Sequence, residues 1–369
     1  MRVLYMGCDV TSYISSVTWG GSKSEVARKL ELKVINAPTD RNITRLVMEL
    51  GKSLTFYDDN GAELFRGFII DREFSSVSGT VTYVAYDILY YTLKSTATYN
   101  FSGKTAEAIT ATVCGDVSVP VGSLAPTGIS QKLIVQDKSI YDIIMMAYTQ
   151  AHEQNGKSYR VTASGGCLNV EEMGKVVCTA SLNETTNITS SNYTESLSEM
   201  VNKVKIYDGE GNPLDVVQNE DVKYGIFQKV YTKEEGKDAV TTAKSMFNGI
   251  TKSFNLSCIN FSGAMTGLGI NIIDSALGLN GVAWIESDTH TWSNGVATMS
   301  LAVTLKQVMD TKDAGKGSGV ESNTQSSGKS SSSSSSASND MSPADVLDKI
   351  SVWKGNTPFR NSLTMPKIN

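Results

Sequence analysis

The sequence predicts an α+β protein that is mainly β, with two antiparallel β regions, an α+β insert between them and a flexible C-terminal tail. Three observations favour this class: apolar and polar residues alternate in both β regions, helical spacing is concentrated in the insert, and serine dominates the stretch that follows. The boundaries fall at 1–95 for the first β region, 96–195 for the insert, 196–310 for the second β region, 311–340 for the linker and 341–369 for the end segment.

Composition narrows the class of protein further. The chain has 369 residues, which is more than a single domain with one hydrophobic core usually contains. Its net charge of −5 predicts no direct nucleic-acid recognition. The 5 cysteines are scattered and never spaced as CxxC, so we expect them to be reduced thiols that form no zinc cluster. We therefore expect the protein to fold in a reducing cytoplasm. We expect neither a signal peptide nor a membrane span, because no run approaches roughly 18 apolar residues.

The first β region contains one strong turn signal. Asp59-Asn60-Gly61 lies between two apolar runs and predicts a hairpin, and residues 30–35 and 80–86 alternate as strands do. A short helix is expected from Asp40 to Gly51, with Ile43 and Leu46 among its apolar residues. This pattern is typical of a barrel or a sandwich.

The insert combines two helices with a hairpin. The first helix is expected around residues 106–113 and the second from Ser139, a capping residue with Asp142 three positions on, to Asn155-Gly156. The strands at 159–162 and 167–170 flank a glycine turn.

The second β region ends in a clear hairpin. Asn294-Gly295 provides the turn, and the core face of the following strand is expected to carry Ala297, Met299, Leu301, Val303 and Leu305. Earlier in the region, 201–207 predicts a strand and a helix is expected from about Glu235. The run 54–58 is similar to 204–208, which would fit two similar β regions.

The serine-rich linker is expected to be flexible, with an end-to-end distance of roughly 30 Å. The short segment beyond it is too small for a core of its own. It is expected either to dock on a neighbouring protein or to remain disordered. The docking residues would be Val346, Leu347, Ile350 and Trp353.

Two interpretations compete for Asp288, His290 and Trp292, which would project from one side of a strand. They could form a catalytic or metal-binding cluster, or a histidine could pack structurally beside a tryptophan. We favour the structural interpretation, because a zinc site needs three or four ligands at suitable spacing and nothing completes the set. The sequence therefore predicts no metal site and no cofactor.

Catalytic motifs are absent from the sequence. It contains 2 histidines and no GxSxG, HExxH or Walker sequence, so we expect no enzymatic activity. One alternative stays open, since acids such as Glu171, Glu172 and Asp288 could converge in space and cleave glycosidic bonds.

Several motifs, in order along about residues 1–310, resemble the baseplate hub of contractile phage tails, in the PBSX-type branch related to the late-control D proteins. The motif residues that we single out as structural are Arg28, Arg66, Gly67, Phe68, Asp87, His290 and Trp292. They lie in five stretches, which are Ala27–Leu32, Gly61–Ile69, Tyr86–Leu89 ahead of Tyr99-Asn100-Phe101, Asp137–Tyr148, and Ser287–Trp292 running into Met299–Leu301.

The resemblance implies a structural virion component made in the bacterial host cytoplasm. Hubs of this family are homotrimers in which two tube-like β-barrel domains per subunit form a pseudo-six-fold ring. Such a ring joins the hexameric tail tube to the trimeric spike. The implied partners are the tail tube protein, the spike or other baseplate proteins, and the tape measure protein. The particle could be a phage or a phage-tail-like bacteriocin.

Two other functions stay open at this stage. A carbohydrate-binding module or adhesin would suit β domains with exposed aromatic residues, although the expected absence of a signal peptide counts against it. A cell-wall hydrolase component would need convergent acids. No peptidoglycan-cleaving domain is recognised, and the linker and end segment lie outside the resemblance.

Overall fold

The computed structural model describes residues 1–36, 46–75, 79–219, 222–233, 238–313 and 318–320. Several predictions lie outside the described residues: the first half of the Asp40 helix, most of the serine-rich linker, and the docking residues Val346, Leu347, Ile350 and Trp353.

The fold is mainly β, as predicted. The strands are β1 (Arg2–Tyr5), β2 (Cys8–Asp9), β3 (Ile14–Ser22), β4 (Lys29–Ile35), β5 (Ser53–Tyr57), β6 (Glu63–Ser75), β7 (Thr80–Asp87), β8 (Thr96–Lys104), β9 (Val121–Leu124), β10 (Gln131–Ser139), β11 (Tyr159–Ser164), β12 (Cys167–Glu172), β13 (Val177–Asn183), β14 (Ile188–Ser196), β15 (Lys203–Tyr207), β16 (Pro213–Gln218), β17 (Gln228–Thr232), β18 (Thr251–Ile259), β19 (Gly269–Asp274), β20 (Leu279–Ser293), β21 (Val296–Thr304) and β22 (Gly319–Val320). The α-helices are α1 (Leu89–Lys94), α2 (Ala106–Asp116), α3 (Ile140–Asn155) and α4 (Ala239–Ser245).

One curled sheet of 13 strands contains β1–β7 and, from the second half of the chain, β13, β14 and β18–β21. Its main path runs β14-β18-β21-β20-β3-β4-β7-β6-β5-β1-β2, and β13 and β19 branch from β20. The predicted β regions therefore share a sheet, which is continuous through the antiparallel pairing of β3 with β20.

The two halves of this sheet repeat one strand order. In the first half β3, β4, β7, β6, β5 and β1 are successive neighbours, and in the second half β14, β18, β21, β20, β19 and β13 are successive neighbours. The equivalent strands of the two halves also follow one another in the same order along the sequence. The repeat differs at its last pair, because β1 is antiparallel to β5 whereas β13 is parallel to β19.

The repeat extends to the register of the central hairpins. Ser53 of β5 faces Phe68 of β6, and Gly269 of β19 faces Trp284 of β20, so each pair is separated by 15 positions in sequence. Immediately after the next residue, β6 and β20 each have a bulge in their pairing with the following strand. The two long strands therefore have an irregularity at the same point of their pairing.

The turn before each hairpin is built the same way. The Gly51 N–H donates to the Ile69 carbonyl at 2.7 Å, and the Gly267 N–H donates to the Ile285 carbonyl at 2.7 Å. Both glycines have positive φ, of 76° and 85°, which glycine adopts without steric cost. The glycine expected to end a helix at position 51 therefore begins a strand pair.

The insert folds around α2 and α3, as its helical spacing predicts. The Ser139 hydroxyl accepts from the Asp142 N–H at 3.0 Å at the start of α3, and Gly156 ends the helix in the left-handed conformation. Apolar residues of both helices pack against the sheet of β8, β10 and β22 and the sheet of β9, β11 and β12. The predicted cap, helix end and hairpin of residues 159–162 with 167–170 are confirmed, and both strands of the hairpin extend two residues further.

Residues 203–245 contain a separate small unit. β16, β15 and β17 form a sheet of their own, and α4 packs on it over Val204, Ile206 and Tyr231. The similarity between 54–58 and 204–208 is therefore not the internal repeat, because β15 belongs to this small sheet. Alternation alone could not distinguish the two sheets.

Two local predictions are wrong. Residues 46–49 are not helical, and the Met48 N–H instead donates to the buried Tyr83 hydroxyl at 3.1 Å. Leu305 is 54% exposed and lies beyond the end of β21, so the core face of that strand is carried by Met299, Leu301 and Val303.

Gly67 of β6 is a direct test of this packing. A Cβ added there would lie 2.1 Å from the Tyr86 carbonyl oxygen, which is backbone and cannot rotate away. We expect Gly67→Ala to lower the free energy of unfolding by about 1–3 kcal/mol, measured by urea denaturation. Gly115→Ala is the control: its Cβ would meet nothing within 4 Å and should stabilise α2 by about 0.5–1 kcal/mol. Equal effects of the two changes would contradict the packing described.

Candidate functional site

The pairing of β3 with β20 creates a buried polar cluster at the centre of the large sheet. In this register Asp288 faces Gly21, His290 faces Trp19 and Trp292 faces Val17. As the sequence predicts, Asp288, His290 and Trp292 point to one side of β20, and all three are buried. We call this group the seam cluster, together with Arg28, which lies directly before β4.

The Asp288 carboxylate is fully bonded. One oxygen accepts from the Arg28 guanidinium at 3.0 Å and from the Thr266 backbone N–H and hydroxyl at 2.7 Å each. The second oxygen accepts from the other Arg28 nitrogen and lies 3.3 Å from His290 Nε2. Bidentate pairing of this kind is the strong form of an ion pair between arginine and a carboxylate.

The His290 ring is enclosed, with 0% exposure. Its Nε2 lies 2.9 Å from the Ala264 carbonyl oxygen and its Nδ1 lies 2.6 Å from the Asn260 side-chain oxygen. The Ala264 carbonyl can only accept, so Nε2 carries a proton, and this N–H is shared between that carbonyl and the Asp288 carboxylate. The ring is thus held as a structural donor, which favours the structural interpretation of the histidine.

Aromatic rings cover the cluster. The Arg28 guanidinium carbon lies 4.1 Å from the Trp19 ring centroid, and the Trp19 and His290 ring centroids are 4.9 Å apart. Trp292 packs edge-on against Phe56. Close approach of the strands requires glycine beside Trp19, because a Cβ on Gly20 would lie 2.4 Å from the Asp288 carbonyl oxygen.

Electrostatics follow from these contacts. Burial by itself would raise the pKa of Asp288, but the Arg28 charge and the hydrogen bonds from His290 and Arg28 outweigh it and hold that pKa well below its usual range.

Asp87, at the end of β7, is 2% exposed and accepts from the Arg28 and Leu89 N–H groups at 3.0 Å each. Burial is the main influence there, and it raises the pKa of Asp87 to about 7.

The structure brings together four of the seven predicted motif residues: Arg28, Asp87, His290 and Trp292. Arg66 is instead half exposed and pairs with Glu63 at 2.6 Å, while Phe68 packs edge-on against Tyr91. Sequence reasoning missed Thr266 and Asn260, which lie in an irregular segment with no motif. The double glycine after Trp19 was the available signal for the close strand approach.

A cavity of about 340 Å³ lies beside the seam cluster, where the two sheet halves meet the insert. Several of its polar groups are paired: Arg160 binds Glu171 at 2.8 Å, and the Tyr141 hydroxyl donates to Asp310 at 2.8 Å. The described residues that line it include no histidine or cysteine.

The acids that could have formed a hydrolytic pair have separate partners. Glu171 binds Arg160, Glu172 binds Lys175 at 2.7 Å, and Asp288 is enclosed in the seam cluster. Within the described ranges, no group of three or more histidine, cysteine or acidic residues could hold a metal ion. Across the same part of the chain, no helix has the length and apolar character needed to cross a membrane.

The fold is that of a phage tail protein. The 43 kDa tail protein of prophage MuSo2 from Shewanella oneidensis superposes with a TM-score of 0.65 at 14% identity, covering 82% of this chain and 96% of that one. The sequence matches the YqbQ-like family profile over residues 17–304, so the chain belongs to the YqbQ-like family.

Two Bacillus subtilis (strain 168) proteins are similar along most of their length. The YqbQ protein is 26% identical over 305 residues, which are 79% of this chain and 92% of that protein. The XkdQ protein of the phage-like element PBSX is 26% identical over 310 residues, which are 80% and 93%. The sequence resemblance is confirmed at the level of phage tail proteins.

The contacts of the seam cluster predict a large loss of stability when the Arg28 guanidinium is removed. Arg28→Met leaves the buried Asp288 carboxylate without its partner, and we expect the free energy of unfolding to fall by about 3–5 kcal/mol in urea denaturation. The double variant Arg28→Met, Asp288→Asn should recover part of this loss. Arg66→Ala removes an exposed ion pair and should cost about 1 kcal/mol or less. An Arg28→Met effect no larger than the Arg66→Ala effect would contradict the role of the buried pair.

Asp87 predicts a specific pH dependence. Its pKa is raised from 3.8 to about 7, so between these values the folded protein retains a proton that the unfolded chain releases. The contribution of Asp87 to stability is therefore complete below the lower value and is lost as pH rises to the upper one. We expect Asp87→Asn to remove this part of the slope of unfolding free energy against pH.

The measurement is urea denaturation at several pH values across that window. Glu153→Gln, on the exposed end of α3, controls for the change of one charge. A slope that is the same in Asp87→Asn and the unchanged protein would contradict the assignment.

Proposed function

We propose that the chain is the baseplate hub subunit of a contractile phage tail or phage-tail-like particle. Three copies form a ring of pseudo-six-fold symmetry that joins the hexameric tail tube to the trimeric spike. The observation that carries the proposal is the repeat of strand order, hairpin register and bulge in the two halves of the large sheet.

A repeat within one chain is what a symmetry adaptor requires. Each chain supplies two similar units, so three chains supply six similar but not identical positions. One face of such a ring can match a six-fold partner, and the differences between the units can match a three-fold one. The proposal treats the two units as the two tube-like barrels. The insert between them then ends before β13 rather than at residue 195, because β13 and β14 belong to the second unit.

Rigidity of the pair of units also fits this role. The seam cluster fixes the two halves through a buried ion pair, two tryptophans and backbone pairing. A hub must hold its units at one relative angle under load, and a fully bonded buried cluster resists sliding of β3 along β20. The proposal assigns no catalytic step to the chain.

The partners follow from this role. We propose the tail tube protein, the spike or other baseplate proteins and the tape measure protein as neighbours, and the virion baseplate as the location. The end segment with Val346, Leu347, Ile350 and Trp353 is proposed to dock on an adjoining tail component. The unchanged assembly and neighbour binding of a protein lacking residues 311–369 would contradict that docking.

The mass of the purified full-length protein in solution tests the ring directly. We expect multi-angle light scattering to give three times the chain mass of 39.7 kDa, and negative-stain images to show three-fold rings. The mass is measured at several protein concentrations, because a reversible trimer should give the full trimer mass at high concentration and dissociate on dilution. A protein that stays monomeric throughout the series would contradict the hub function, and activity on purified cell wall would favour a hydrolase component instead.

A further inference from the structure

The joint between the two sheet halves also indicates how one copy would meet the next. In that joint residues 287–293 of β20 pair with residues 16–22 of β3. These residues of β20 follow its bulge, and the equivalent part of β6 begins at Asp71, directly after the matching bulge. The residues of β6 that correspond to the joint are therefore 71–74, which we call the β6 edge.

The counterpart of β3 is β14. Pairing of β3 with β4 starts at Ile14 opposite Val34 and has a bulge before Ser16. Pairing of β14 with β18 starts at Ile188 opposite Cys258 and has a bulge before Ser190. This equivalence places Tyr193 at the position of Trp19, and Glu195 at the position of Gly21.

Both edges are available within the described residues. The β6 edge pairs with β7 alone, since β5 stops opposite Phe68, and β14 pairs with β18 alone at the end of the sheet. Alternate residues of an antiparallel edge strand direct their backbone N–H and C=O groups outward. Each edge also exposes an aromatic side chain, Phe74 at 50% and Tyr193 at 38%.

We propose that the β6 edge of one copy pairs with β14 of a second copy, antiparallel and in the register of the β3–β20 joint. The contact rests on the proposed ring and identifies the surfaces that close it. The register follows from the equivalence of the two halves. Ser287 faces Ser22 in the joint within the chain, and the equivalent residues are Asp71 and Ser196, so Asp71 of one copy would face Ser196 of the next. Arg72 of one copy then faces Glu195 of the next, and Phe74 faces Tyr193.

The side chains brought together are complementary. Arg72 and Glu195 have opposite charges, and cross-strand pairs of opposite charge stabilise a sheet. Phe74 and Tyr193 take the positions of His290 and Trp19, whose rings are in contact at 4.9 Å between centroids in the joint within the chain. Tyr193 already stacks on Phe254 at 4.6 Å, so its ring is held in place to receive a second aromatic ring.

Existing contacts of these groups do not oppose the pairing. Glu195 accepts from the Tyr193 hydroxyl of its own strand and binds Lys252 at 3.3 Å, and the Glu195 and Lys252 side chains are about half exposed. Arg72 lies 4.9 Å from the Phe74 ring centroid and donates to the Met48 carbonyl at 3.3 Å, which leaves further N–H groups for a carboxylate. A contact of one edge with a different edge is heterologous, so it builds rings when the rotation closes.

Charge reversal tests the contact in the full-length protein. Arg72→Glu and Glu195→Arg each place like charges opposite one another, and we expect each to raise the trimer dissociation constant at least about tenfold. The double variant restores opposite charges and should return the constant toward that of the unchanged protein. Arg66→Glu, an exposed arginine at the other end of β6, is the matched control and should leave assembly unchanged.

A cysteine pair tests the register. With Cys8 and Cys167 replaced by serine, Phe74→Cys with Tyr193→Cys should form disulfide-linked trimers on oxidation. Phe74→Cys with Ser190→Cys should not, because Ser190 lies three residues, or about 10 Å, further along β14.

The outcomes separate this contact from the ring itself. A trimer that is unaffected by both charge reversals and forms no disulfide at these positions would overturn the contact and leave the hub function standing. A protein that remains monomeric at every concentration would overturn both. Loss of the trimer in each single variant with recovery in the double variant would support both.

Discussion

The pairing of β3 with β20 is the constraint on which the rest of the structure depends. It joins residues 16–22 to residues 287–293, and it turns two sheet halves into one continuous sheet. Its centre is polar, because Asp288, Arg28 and His290 lie where a core would ordinarily be apolar. A buried ion pair adds little net stability but allows few alternative arrangements, so we infer that this cluster specifies the register of the joint.

The proposed ring would use the geometry of this joint a second time. Strand order, hairpin register and turn glycines recur in both halves, so the surface that β20 offers to β3 has a counterpart on β6. The internal joint is closed by a buried aspartate, whereas the matching positions at the free edges carry exposed Arg72 and Glu195. The permanent contact within a chain and the reversible contact between chains would thus use the same strand pairing. The side chains would differ, being buried in the first contact and exposed in the free edges of the second.

Local features could be predicted from the sequence because their causes are local. The Asn294-Gly295 turn, the Ser139 cap and the burial of His290 depend on residues close in sequence or on simple alternation. The partner of Asp288 could not be predicted, since Arg28 lies 260 residues away. Nor could the small sheet of β15–β17, because an alternating strand does not specify which sheet it joins.

The small unit of β15–β17 and α4 has a consequence for symmetry. It is inserted between β14 and β18, at the position where the first half has only the short connection from Ser22 to Lys29. Of the two units in each chain, one therefore bears this addition and the other does not. In a closed assembly every second unit would carry a projection, so a neighbouring component could distinguish alternate positions and dock in three orientations rather than six.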